Sequence, residues 1–157
     1  MSKRDDFSRA KFAALYYLGR RALTERELRD KLAKKEYPPE VCEKTVAYLK
    51  ELGYIDDEKY SQRFIETALT VKKHGIARIR RELYGKGVKP EIIDSAVREA
   101  DCNGFDALSE LVAEKRTKYD LSDPKQKNRF IGFLLRRGYR YDEIYSALRE
   151  TEDTYFD

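Results

Sequence analysis

One histidine, one methionine, two cysteines and no tryptophan stand among 157 residues, together with only eight glycines and four prolines. Each scarcity removes a class of function. Cys42 and Cys102 are far apart and lack metal-ligand spacing, so neither a disulfide framework nor a zinc site is expected. A reducing cytoplasm is then the natural setting. His74 precedes Gly75 with no nucleophile beside it in the sequence, and reads as a turn residue. The few glycines form no P-loop, no dinucleotide loop and no nucleophile elbow. Asp56-Asp57 resembles a carboxylate pair, but helix capping accounts for it. No enzyme, cofactor or metal is expected. Long apolar runs are missing too: uncharged Phe12–Leu18 is among the best and falls far short of the roughly 20 residues a membrane span needs. The opening MSKRDDFSRAK lacks the apolar core of a signal peptide.

What the chain does have is charge, at 39% of residues, and enough apolar residues, 41%, to fold. Apolar positions recur at helical spacing over about 6–21 (Phe7, Ala10, Ala14, Leu15, Leu18). Thr24 to Glu27 is a capping box that opens a helix with Leu28 and Leu32 inward. Pro38-Pro39 starts a third, with Val41, Val46, Leu49 and Leu52 inward and Gly53 as its stop. Asp56 caps a helix over about 57–73 that buries Tyr60, Phe64, Ala68 and Val71. Residues 74–93 read as a basic helix with Ile76, Ile79 and Leu83 on one stripe. Gly87 then turns the chain and Pro90 begins the next helix, with Ile92, Ile93, Ala96 and Val97 inward. After a break at Asn103-Gly104, helices are expected over about 105–118, from Asp123-Pro124 to Gly138, and over 141–150. The last residues read as a frayed acidic tail.

A repeat underlies this order. An offset of 51 residues carries Leu32 to Leu83 to Leu134, Leu28 to Ile79 to Phe130, and Val46 to Val97 to Leu148. The same step carries Tyr37 to Val88 to Tyr139, Glu40 to Glu91 to Asp142, and Cys42 to Ile93 to Ile144. Cys42 therefore reads as a small buried hydrophobe. The expected fold is all-α: three tandem three-helix repeats over 1–53, 54–103 and 104–151, with a tail at 152–157. Units this small need stacked neighbours, so an elongated, curved array of the three is expected.

Charge alternates with the repeat. Residues 1–35 are net +6, 36–70 net −4, 71–90 net +6, 91–114 net −6, 115–140 net +7 and 141–157 net −5. Each middle helix is basic and each last helix acidic. Two readings stay open: neutralisation between helices of one unit, or a positive stripe that tracks a phosphate backbone or an acidic protein groove. The candidate contacts are cations of the basic blocks. Lys35, Lys86 and Arg137 share one repeat position at helix C-termini, where the helix dipole also favours them. Arg78 and Arg129 share another, on a face expected to point outward, and Arg81 adds to it. Arg80 flanks the apolar stripe and can snorkel over it. Arg136, Arg137 and Arg140 cluster at a turn, and Arg29 and Lys127 complete the set. Tyr84, Tyr119 and Tyr141 are candidates for stacking on bases, although packing explains most tyrosines here.

The residues from Ala14 through Ile65 (ALYYLGRRALTERELRDKLAKKEYPPEVCEKTVAYLKELGYIDDEKYSQRFI) resemble the N-terminal half of the RecX family, bacterial regulators of the RecA recombinase. GIARIRRELYGKGV in the middle copy and FLLRRGYRYDEIYSAL in the third continue the resemblance over nearly all of 10–150. It implies a non-enzymatic protein that sits in the groove of the RecA–DNA filament. There it would inhibit filament growth and lower ATPase, strand-exchange and coprotease activities, although some relatives stimulate the recombinase instead. Single- and double-stranded DNA are implied as further partners, and a monomer off the membrane is expected. The family carries no strict contact signature, so the cations above rest on charge alone. A free-standing DNA-binding module and a scaffold for another acidic protein are the alternatives.

Overall fold

Residues 28, 79 and 130, and residues 32, 83 and 134, are all 0% exposed in the computed structural model. The 51-residue step is therefore a step between equivalent interior positions. The structure describes residues 3–100 and 104–156, with side chains for 4–100 and 107–150. Cys102 and Asn103 lie outside the described residues. Among those described there are nine α-helices and no strand. They are α1 Lys3–Arg20, α2 Glu25–Lys34, α3 Pro39–Glu51, α4 Asp57–Thr67, α5 Ile76–Gly85, α6 Pro90–Ala100, α7 Gly104–Lys115, α8 Pro124–Arg136 and α9 Tyr141–Phe156.

The helix boundaries follow local chemistry. Thr24 Oγ1 accepts from the Glu27 amide at 3.2 Å, and the Glu27 carboxylate accepts from the Thr24 amide at 3.0 Å, closing the capping box of α2. Asp56 Oδ1 accepts from the amides of Glu58 and Lys59 at the start of α4, and Asp123 accepts from the Lys125 amide at the start of α8. The middle helices α2, α5 and α8 end alike. Amides of Tyr37, Val88 and Tyr139 donate to the carbonyls of Leu32, Leu83 and Leu134, and those of Glu36, Gly87 and Gly138 to Ala33, Tyr84 and Leu135. This is the left-handed Schellman ending, made three times at the same step.

The chain forms two compact units. One takes the residues up to Ser61 together with Leu83–Ile93. Its core joins α1, α2 and α3 through Ala10, Ala14, Leu28, Leu32, Val46 and Leu49. Cys42 is 2% exposed in that core, and its thiol donates to the Tyr37 carbonyl, as a small buried hydrophobe should. The other unit takes Gln62–Glu82 and the residues from Asp94 on. Its core joins α7, α8 and α9 through Leu108, Leu111, Phe130, Leu134, Ile144 and Leu148, with Tyr119 stacked on Phe130 at 4.8 Å. Fully burying one such side chain is worth about 1.5–3 kcal/mol.

Several sequence expectations are corrected. Val71 is 75% exposed, because α4 gives way to a π-turn over Ala68–Lys72. The i→i+5 pattern slips the register, so Ala68 and Leu69 face inward and Val71 rotates out. Leu52 lies at the C-cap of α3 rather than on its buried stripe, and is exposed together with Leu15 of α1. The helical backbone of α9 continues to Phe156 rather than stopping near Glu150, since no glycine or proline interrupts residues 151–156. Arg78 does not stand out from α5: it is two-thirds buried.

The three Schellman turns differ in one informative way. Glu36, Gly87 and Gly138 occupy the same repeat position with φ of 67°, 85° and 100°. Positive φ alone does not demand glycine, because Glu36 tolerates it. A Cβ on Gly87 would lie 2.5 Å from Cβ of Arg26, and one on Gly138 would lie 2.4 Å from Cβ of Arg78. Close approach is the added demand. Gly87→Ala and Gly138→Ala should each destabilise by about 2 kcal/mol or more, while Glu36→Gly changes stability by less than about 1 kcal/mol. Urea unfolding monitored by circular dichroism checks the contrast.

Candidate functional site

Helix ends that need partners build the framework on which the candidate cations sit. In the first unit, the Thr24 hydroxyl at the start of α2 donates to the Lys86 carbonyl at the end of α5, at 2.7 Å. The Arg26 guanidinium donates to the Gly85 carbonyl, and Lys86 Nζ lies 3.8 Å from the Glu27 carboxylate. Asp57 accepts from the Glu25 amide at 2.9 Å, and its burial pushes its carboxyl above the usual range. In the second unit, the Gly75 amide before α5 donates to the Arg137 carbonyl at the end of α8, at 2.7 Å. Lys86 and Arg137 are one repeat step apart, as are Thr24 and Gly75. In each unit the negative end of one helix dipole meets the positive start of another.

The second junction gathers further groups. Arg137 donates to the Lys72 carbonyl, and its guanidinium lies 5.0 Å from the centre of the Phe133 ring. The Tyr139 hydroxyl donates to the Lys73 carbonyl at 2.8 Å, and burial pushes its pKa up to about 12. Arg78 Nε donates to Glu82 at 2.8 Å, while its Nη1 reaches the Arg136 carbonyl at 3.4 Å. His74 is 8% exposed and its Nδ1 has no hydrogen-bond partner. Its burial lowers its pKa, helped by the charges of Arg78, Arg137 and Lys72 and opposed by Glu82.

Ion pairs decide part of the charge pattern. Arg29 pairs with Glu43, and one repeat step later Arg80 pairs with Asp94. Both pairs join a middle helix to the last helix of the same repeat. In the third copy the two positions carry Ile131 and Tyr145, so an apolar pair replaces the ionic one. Neutralisation between helices is thus real in the first two copies and takes Arg29 and Arg80 out of the free positive charge. Arg29 also lies 3.5 Å from Glu25.

The ten sequence candidates divide accordingly. Arg29, Arg78, Lys86 and Arg140 are held by carboxylates, Arg140 by Asp142 and Glu143. Arg137 is held by a carbonyl and a ring. Lys127 is half-buried. Lys35, Arg81, Arg129 and Arg136 are exposed and form no ion pair among the described residues. Arg136 lies back over Gly132, where a Cβ would be 3.3 Å from its Nη1. Arg81, Arg129 and Arg136 all belong to the second unit, on α5 and α8. Tyr84 is 67% exposed on α5, and Tyr141 stacks on Tyr145 at 6.4 Å on the surface of α9. Tyr119 is instead packed against Phe130.

Sequence reading passed over the roles of Gly75, Arg26 and Tyr139. A Cβ on Gly75 would fall 2.3 Å from the Gly138 carbonyl oxygen, a contact between residues 63 apart that no local pattern signals. It also passed over the exposed apolar face of α1, where Phe12, Leu15 and Tyr16 are open to solvent. Among the described residues no cluster of ligands could hold a metal ion, and no helix is long and apolar enough to cross a membrane.

Comparison with known proteins gives a consistent result. Profiles of the first, second and third three-helix domains of RecX match residues 10–49, 56–97 and 104–148. The regulatory protein RecX of Vibrio campbellii is 36% identical over 146 residues, covering 92% of this chain and 93% of that protein. That of Trichlorobacter lovleyi is 35% identical over 136 residues, 84% of this chain and 88% of its own. A crystal structure of RecX from Lactobacillus salivarius superposes with a TM-score of 0.85 at 24% identity, over 95% of this chain and 98% of that one, and shows the shared fold.

The junction histidine makes a pH prediction. The folded state depresses the His74 pKa below its ordinary value near 6.5, so the unfolded state binds the proton more readily. The stability from a neutral His74 is complete above about pH 6.5 and is lost as pH falls toward the folded value. His74→Gln should flatten the fall in melting temperature between pH 7.5 and 5.5. A wild-type slope that survives the substitution places the titration elsewhere.

Proposed function

The chain belongs to the RecX family, and on that footing we propose that it modulates the RecA recombinase, as a negative regulator. It acts as a cytoplasmic monomer in homologous recombination and DNA repair. It binds in the groove of the RecA–DNA filament, inhibits filament growth, and so lowers ATPase, strand-exchange and coprotease activity. The observation that carries this reading is the run of three RecX domains in order across residues 10–148. Whole-length relatives named regulatory protein RecX support it.

The physical route is charge that the fold leaves unspent. Arg81, Arg129 and Arg136 keep their guanidinium groups exposed, and such forks suit both phosphate and carboxylate. Lys35 adds a fourth exposed cation at the end of α2. These side chains contact DNA phosphates or acidic residues of the recombinase, while the carboxylate-held arginines keep the helices in place. No chemistry is required of the protein: occupying the groove is enough to oppose subunit addition.

A second reading, a free-standing DNA-binding module, is favoured by the three-helix form of each repeat, a form that helix-turn-helix proteins share. Preference for one duplex sequence in the absence of RecA would support it.

The triple substitution of Arg81, Arg129 and Arg136 by glutamate tests the proposed face. It should raise the protein concentration needed to halve RecA's DNA-dependent ATPase by at least about tenfold, since each lost charge-assisted bond is worth roughly 1.5–3 kcal/mol. The helical circular dichroism spectrum should stay unchanged, because none of the three is ion-paired. Undiminished inhibition by the folded variant removes this face from the account.

A further inference from the structure

The largest opening within the second unit is a cleft of about 470 Å³ where α5, α6 and the α8–α9 turn meet. Arg80, Arg98 and Arg140 line it, with Glu143, and Ala77 and Val97 contribute apolar wall. The carboxylates that hold two of these arginines, Asp94 for Arg80 and Asp142 for Arg140, do not line the cleft. Its wall therefore carries three guanidinium groups against one carboxylate, and Glu143 is itself paired to Arg140 at 3.4 Å. Arg98 is exposed and forms no ion pair among the described residues. Ion pairs that only hold helices together need no such surplus. Arginines fixed by partners outside a cleft, beside one that is free, form a pre-organised anion site.

We infer that this cleft binds a phosphate group, with the backbone of single-stranded nucleic acid as its source. Arg98 makes the direct contact, and Arg80 and Arg140 supply oriented donors beside it. Ala77 and Val97 give the sugar or base next to the phosphate an apolar wall. A nucleic-acid strand fits better than an acidic peptide, because Arg80 is followed on α5 by the exposed and unpaired Arg81. Positive charge thus continues past the cleft, as a polymer of regularly spaced phosphates requires. The inference rests on the proposed regulation only in taking its phosphate from DNA; the cleft itself is independent of the recombinase.

The test is anisotropy of a fluorescent 20-mer of thymidylate titrated with protein across a salt series. Wild type is compared with Arg98→Gln and with the Arg80→Gln/Arg98→Gln pair. The double variant should bind about tenfold more weakly at low salt, and its log–log salt slope should be shallower by about 1.4, the share of two phosphates on a single strand. Thymidine monophosphate and polyglutamate are added as competitors. Displacement of the oligonucleotide only at concentrations that also shift Arg98 side-chain resonances marks free nucleotide as an equally good source of the phosphate. Loss of polyglutamate binding in the variants, with oligonucleotide binding unchanged, makes the site one for acidic peptide and overturns the inference. So does an unchanged salt slope, or a wild-type protein that binds neither oligonucleotide nor monophosphate. Inhibition of RecA's ATPase is read in parallel. Wild-type inhibition with an unchanged slope sinks the cleft alone, and a lowered slope without inhibition sinks the regulatory reading alone.

Discussion

A helix end is a row of unsatisfied carbonyls, and this chain answers that need with the start of another helix. Lys86 gives its carbonyl to the Thr24 hydroxyl in one unit, and Arg137 gives its carbonyl to the Gly75 amide in the other. Both contacts require backbone to come close to backbone or to a Cβ, which is why Gly75, Gly87 and Gly138 have no side chain. The junction explains why three-helix units of about 50 residues, too small to bury much of their own surface, occur in tandem. It also explains the charge at those ends. A cation near a helix C-terminus is favoured by about 0.3–1 kcal/mol whatever else it does, so Lys86 and Arg137 have structural reasons to be basic.

That distinction carries over to function. A thrice-repeated basic block invites the reading that every cation in it faces a polyanion. The structure separates two populations instead. Arg29, Arg78, Arg80 and Lys86 are occupied with carboxylates, and Arg137 with a carbonyl and a ring. Arg81, Arg129 and Arg136 remain exposed. Exposed pairs contribute little to stability, roughly 0–1 kcal/mol each. Their larger effect is on which charges are left for a partner. Both readings of the alternating charge are therefore needed, applied to different residues.

The parts legible in the sequence were those with a local cause. Capping residues, left-handed turns and the 51-residue register follow from neighbours a few positions apart, and the shared register also identified Cys42 as core. What was not legible depends on distant contacts or on small slips of register. Arg78 looked outward by helical angle, but Gly138, 60 residues away in sequence, approaches its Cβ. Val71 looked inward until the π-turn shifted it. Arg98 was hidden for a different reason: it is the single cation of residues 91–114, and a net of −6 drew attention away from it. Counting charge by block averages out the one side chain that lines a cleft. The apolar face of α1 escaped because its spacing matches that of a buried stripe equally well.

The central claim is that this protein acts on the recombinase filament itself. The most direct measurement adds it to preformed RecA–single-stranded DNA filaments and follows filament length, by electron microscopy, together with ATP hydrolysis in the same samples. The account predicts that filaments shorten while hydrolysis falls in parallel, at protein concentrations well below that of RecA. Filaments that keep both their length and their ATPase at equimolar protein would contradict it.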